Sequence, residues 1–231
     1  MRIITNTPFI QKRARLARII SYVGLAILAG GFVTSLLQPS LILLAYLTLP
    51  IGMILANIGI YLANRYLRPP RLDQALDQAL KGLSDQYAIY HYMLPADHVL
   101  ISPHGIYPLI VRFQAGTFIN EGERWQQRQG CWGRVLRLFG QEGIGNPTQE
   151  ARAEVEALRR YLAEHAPGLD VPIEPIIVFT HPQAEITIPS PAVPVVLAKK
   201  LKVYLRSVER GRALPRPTLM QLEEALPTLS P

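Results

Sequence analysis

The chain has 231 residues, enough for one ordinary domain and a small appendage. Its 17 acidic residues all lie from Asp73 onward, while 8 of its 24 basic residues come before Leu72. The formal charge of +7 therefore belongs to the N-terminal third, and this removes most of the case for nucleic-acid binding that a basic chain would otherwise make. The single cysteine, Cys131, excludes an internal disulfide and suits a reducing compartment.

No Asp, Glu, Lys or Arg occurs in the 46 residues between Arg18 and Arg65. A helix bathed in water needs charge on its outer face, so this stretch reads as a transmembrane hairpin over 19–63. Its segments, 19–37 and 41–63, are each close to the roughly 20 residues that cross a hydrocarbon core. Gln38-Pro39-Ser40 is the turn, where proline stops the first helix and serine offers a cap for the second. Pro50 is expected to kink the second helix, and Gly30, Gly31 and Ala56 offer surfaces for close helix approach. Because a second apolar segment follows at once, the first is not read as a cleavable signal.

Lys12, Arg13, Arg15 and Arg18 precede the hairpin, Arg65, Arg68 and Arg71 follow it, and the turn carries no positive charge. The positive-inside rule then puts both chain ends on the cytoplasmic side of the inner membrane. Residues 1–18 read as a basic N-terminal segment, 64–72 as a linker stiffened by Pro69-Pro70, 73–212 as a cytosolic domain, and 213–231 as a short helix and tail.

Within 73–212 the spacing of Leu72, Leu76, Leu80 and Leu83 predicts a helix from Asp73 to Leu83. Tyr87 to Leu94, Val99 to Ser102 and Gly105 to Phe113 read as a meander of short strands, punctuated by Pro95 and by Ser102-Pro103-His104-Gly105. Thr117 to Ile119 is a further strand candidate, and the polar stretch that follows is anchored by Trp125 and Trp132. Asn146-Pro147-Thr148-Gln149 opens a helix as cap, first-turn proline and capping-box partner, with Ala151, Val155, Leu158 and Leu162 on one face. The apolar run Ile176 to Thr180 has the composition of a central strand. Ala184 to Ile188 and Val193 to Leu197 read as shorter strands, Lys199 to Arg210 and Thr218 to Leu226 as helices. The whole is a mixed α/β sheet with flanking helices.

The histidines, His91, His98, His104, His165 and His181, have no metal-site spacing among themselves, and Cys131 lacks a nucleophile motif. Gly140, Gly143 and Gly145 resemble a phosphate loop only loosely, since no Gly-Lys-Ser/Thr follows. The stretch from Leu94 to Gly116, LPADHVLISPHGIYPLIVRFQAG, is more informative. Asp97-His98 opens a hydrophobic strand, a turn ending in Gly105 follows, and a second strand runs to Gly116.

This order resembles the nuclease-related domain family, whose fold belongs with the restriction-endonuclease-like nucleases. Asp73 ahead of Leu80 and Leu83, the Asn146-Pro147 step with Gln149, and the strand Ile176 to Thr180 extend the resemblance over roughly Asp73 to Arg210. The resemblance implies a site in which an Asp and a Glu hold a divalent metal and a Lys assists at the phosphate. Asp97 fills the first position. The family's Glu and Lys fall on Ile110 and Arg112, which cannot ligate a metal and cannot serve as a general base.

The expectation is a catalytically degenerate domain tethered to a membrane as a binding or scaffolding module, with no cofactor and no metal site. An active nuclease would need Mg²⁺ and replacement carboxylates, for which Glu121, Glu123 and Glu142 are candidates. A third reading is a structural membrane protein with a platform for a protein partner. Lys199, Lys200, Lys202, Arg206 and Arg210 form a basic helix face, read either as solvated or as a contact for anionic lipid headgroups, with nucleic-acid phosphate as a weaker option.

Overall fold

The computed structural model describes residues 1–121, 124–128, 143–188, 191–208 and 213–227. The chain forms two compact units. One combines Met1–Asn6, Leu72–Gln129 and Gly143–Pro231, and the other contains Thr7–Arg71.

The second unit is a helical hairpin. Helix α1 (Thr7–Leu37) and helix α2 (Ile42–Tyr66) are joined by a short 3₁₀ turn, Pro39–Leu41. Ser40 lies inside that turn, so α2 is capped at Leu41 without a side-chain hydrogen bond, in place of the serine cap expected from the sequence. Small residues line the seam between the helices. A Cβ added to Gly31 would collide with Thr48, one on Gly59 with Ser21, and one on Gly24 would lie 3.1 Å from the Ala56 backbone. Gly30, by contrast, has open space beside it. Backbones that approach this closely gain dispersion contacts without help from water exclusion. The outer surface is apolar, with Tyr22, Leu25, Phe32, Leu36 and Leu43 exposed. Both helices are long and apolar enough to cross a membrane.

The first unit is the mixed α/β domain. Helix α3 (Leu72–Leu80) leads into the meander β2 (Ala88–His91), β3 (His98–Ser102) and β4 (Gly105–Arg112). Then come β5 (Gly116–Glu121), β6 (Arg124–Arg128), α4 (Pro147–His165), β7 (Ile176–Phe179), β8 (Ala184–Thr187), β9 (Val195–Leu197), α5 (Leu201–Val208) and α6 (Arg216–Ala225). Asn146 caps α4, its side chain accepting from the Gln149 N–H.

A strand that the sequence analysis does not anticipate, β1 (Arg2–Thr5), lies ahead of the hairpin and pairs in parallel with β2 behind it. The main sheet runs β1-β2-β3-β4-β7-β9. A smaller sheet, β6-β5-β8, contains the second unanticipated strand, β6.

Side chains alternate across the main sheet, so neighbours in sequence enter opposite layers. Ile89, Leu100, Tyr107, Leu109, Ile176 and Val178 pack with Leu76 and Leu80 of α3 and Leu201 and Leu205 of α5. On the other face Ala88, Tyr90, Val99, Ile101 and Ile106 pack with Leu158 and Leu162 of α4 and Leu222 of α6. Ile110, Ile177 and Phe179 continue that face toward Phe118 of β5 and Ala151 of α4. The C-terminal helix is thus part of the core.

Candidate functional site

The meander decides which side chains meet. Its two glycines are fixed by the backbone: a Cβ at Gly105 would lie 2.8 Å from the Pro172 carbonyl oxygen, and Gly116 has φ 113°. In the β3–β4 ladder Val99 faces Pro108 and Leu100 faces Tyr107. Continuing that register past Val99 brings Ile110 level with Asp97, which lies in the bend just ahead of β3, so the two share one end of the sheet, with Ile110 on the α4 face.

That face is apolar where a second carboxylate would be needed. Ile110 is 1% exposed and packs among Ile177, Phe179, Phe118 and Ala151. Arg112, two residues on, is tied into the structure. Its guanidinium pairs with Glu150 in the first turn of α4 and donates to the carbonyls of Ile144 at 3.2 Å and Val111 at 3.1 Å. Glu150 also sits at a helix N-terminus, where negative charge is favoured. Trp125 secures the same region from β6, donating to Thr148 Oγ1 at 2.8 Å.

A hydrocarbon offers no lone pair and a guanidinium repels a cation, so the Ile110 and Arg112 positions do not fit a divalent metal. Among the described residues no group of three His, Cys, Asp or Glu is placed to hold one. Asp73, buried in the first turn of α3, belongs to the opposite side of the sheet from Ile110. Glu123 and Glu142 lie outside the described residues, as do Cys131, Trp132, Gly140 and Arg210 and the side chain of Glu121.

The structure brings together residues that sequence spacing does not. His91 and His98 are direct partners in the β2–β3 ladder, both buried on the α3 face, with their Nδ1 atoms 2.8 Å apart. His91 Nε2 lies 3.0 Å from Asp77 Oδ1 on α3. An ionised carboxylate only accepts, so His91 carries its proton at Nε2, and in neutral His91 the Nδ1 accepts from His98. The chain Asp77–His91–His98 is thus fully oriented, and Tyr92 closes it with its ring edge-on to His98. The one signal in the sequence is that both histidines flank the six-residue connection of the first meander turn.

At the far edge of the sheet a cleft of about 220 Å³ opens at the ends of β7 and β9, bounded by Phe179, His181, Leu197 and Lys199. Lys199, Lys200 and Arg206 are exposed beside it in sequence, and Lys202 donates to the Lys81 carbonyl at 2.8 Å. Leu201 and Leu205 face inward, and Val203 is exposed between the cations.

A helix, an antiparallel meander, a second helix and a strand parallel to the last meander strand, with Asp97 and the Ile110–Arg112 strand at one end, define a mixed α/β domain. The family model of the nuclease-related domain matches residues 70–180. No curated protein matches the chain, and no solved structure does.

Proposed function

We propose that this protein is a membrane-tethered nuclease-related domain that has lost cleavage chemistry and works as a binding or scaffolding module on the cytoplasmic face. The observation that carries the reading is Ile110: the position level with Asp97 is filled by a hydrocarbon built into the core, not by an exposed side chain that a neighbouring carboxylate replaces. Arg112 is likewise engaged with Glu150 and two carbonyls rather than directed at a phosphate.

The bilayer reading is supported by exposure. In the most apolar windows of the two helices only 11% and 17% of residues are buried, whereas core helices of soluble proteins bury most of theirs. Left in water, that surface would be an aggregation site. Orientation is supported by connectivity. The segments entering and leaving the hairpin, β1 and α3, belong to one folded unit, so both ends of the hairpin emerge on the same side. The basic flanks make that side the cytoplasmic one. On α5 and the 3₁₀ turn Ala198–Lys200 that leads into it, the exposed Lys199, Lys200 and Arg206 with Val203 between them suit an anionic headgroup surface, where each cation is worth about 1 kcal/mol.

Two experiments test this. Purified full-length protein, incubated with DNA or RNA and Mg²⁺ or Mn²⁺, should leave both intact. Cleavage that Asp97→Ala abolishes would overturn the degenerate reading. In intact cells carrying Cys131→Ser, cysteines at Gln11 and Ser84 should resist a membrane-impermeant thiol reagent while one at Ser40 reacts. Labelling at Gln11 or Ser84 would refute the topology.

A further inference from the structure

The base of the hairpin holds a second charged surface that the reading above leaves unused. Helix α1 begins at Thr7, well before its apolar portion starts at Ile19, and stays helical through Lys12, Arg13, Arg15 and Arg18. All four cations are exposed, while Ile10, Ala14 and Ala17 are buried. At 3.6 residues per turn the four spread over roughly 220° of the helix surface, opposite the buried stripe. Arg13 lies over the Phe9 ring at 5.2 Å.

The second helix contributes at the same level. The seam pairs Ser21 with Gly59, Gly24 with Ala56 and Gly31 with Thr48, and the same offset sets Arg65 level with Arg15, with Arg68 just past the end of α2. Arg65 on α2 reaches Tyr61 Oη at 3.3 Å, and Arg68, two residues past its end, reaches back to Asn64 Oδ1 at 3.3 Å. From Thr7 to Arg71 the sequence contains no Asp or Glu. From Lys12 to Arg18 the cations span about 9 Å at 1.5 Å per residue, against about 5–8 Å for one headgroup layer.

We propose that Lys12, Arg13, Arg15, Arg18, Arg65 and Arg68 form a collar that selects anionic phospholipids around the base of the hairpin. The proposal rests on the hairpin's lying in a bilayer. Its position directly below an exposed apolar belt favours lipid phosphate over nucleic-acid phosphate, because the same surface that meets the collar must also cover the belt.

The test uses full-length protein in vesicles of phosphatidylcholine with a trace of spin-labelled lipid, carrying either a phosphatidylglycerol or a phosphatidylcholine head. Motionally restricted phosphatidylglycerol should exceed restricted phosphatidylcholine about fivefold, the ratio expected from roughly one well-placed cation. The variant with Lys12, Arg13, Arg15, Arg18, Arg65 and Arg68 all replaced by Gln should bring the ratio to about one. Arg159→Gln and Arg160→Gln together, on the exposed side of α4, should leave it unchanged. Restricted lipid with equal preference for the two heads would overturn the collar and leave the bilayer reading standing. No restricted lipid of either kind would overturn the bilayer reading itself. Loss of preference on adding inorganic phosphate or a DNA duplex at constant ionic strength would show a general phosphate site and would also overturn the collar.

Discussion

Ile110 and Arg112, where the resemblance to the nuclease-related family leads one to expect a Glu and a Lys, are both built into the structure. Ile110 sits between Ile177 and Phe118, and a carboxylate there would be buried with no partner of opposite charge. Ile110→Glu is therefore expected to cost about 3 kcal/mol or more, read as a large fall in Tm, and to yield no cleavage. Ile110→Val should cost only about 1 kcal/mol. Removing the partner of Arg112 is a milder change, because Glu150 is 38% exposed and two carbonyls still receive the guanidinium. Glu150→Gln should cost about 1 kcal/mol in urea unfolding. Both residues were legible as departures from a family pattern by counting from Gly105. Their burial and their partners were not, because Glu150 and Phe118 come from elements remote in sequence. The histidine pair was hidden for the same reason: metal-site spacing looks for neighbours along the chain, and an antiparallel register joins residues across a turn.

Elements with a strong local period were readable. The meander, α4 with its Asn146 cap, and the strand at Ile176 fell where alternation, capping residues and apolar runs put them. The strands β1 and β6 did not. Arg2–Thr5 is four residues long and Arg124–Arg128 is polar, so neither carries a pattern, and each is made a strand by its partner. The hairpin seam makes a sharp prediction between adjacent glycines. Gly31→Leu should weaken helix packing by about 1–3 kcal/mol, read as lower thermal stability in micelles, because Thr48 already occupies the space. Gly30→Ala meets nothing and should leave stability equal or slightly raised.

The docking of α6 onto α4 can be tested by pH. Tyr161 Oη donates to the Ala225 carbonyl at 3.0 Å, and burial first, then Glu164, raises its pKa. Tyr90 beneath it is raised chiefly by burial, although Arg2 pulls the other way. A phenol whose folded pKa lies above its unfolded value of about 10 stabilises the protein below that pH and loses the contribution as pH rises through the folded value. Unfolding free energy should thus fall above pH 10, and Tyr161→Phe should be less stable at pH 8 but show a shallower alkaline decline.

At the scale of the whole molecule, the hairpin is not an appendage ahead of a domain. It is an insertion within one, since β1 precedes it and completes the sheet behind it. Boundaries drawn from charge and hydropathy alone miss this, because the strand lies inside a basic N-terminal segment and its partner Ala88 is 86 positions from Arg2. Closing so long a loop in a flexible chain is entropically costly, but the hairpin returns the chain on itself: the rings of Phe9 and Tyr66 are 6.1 Å apart. The bilayer would thereby act as a template that delivers β1 to β2. If the hairpin spans a bilayer as proposed, β1 leaves the ribosome before either helix and pairs with β2 only after both have inserted. A chain in which only one helix crosses would strand β1 and β2 on opposite sides of the membrane, leaving β2 as a raw sheet edge for quality-control proteases to find. On the proposed membrane reading, completion of the sheet would be a built-in check on insertion, made by the α/β domain on the hairpin it encloses.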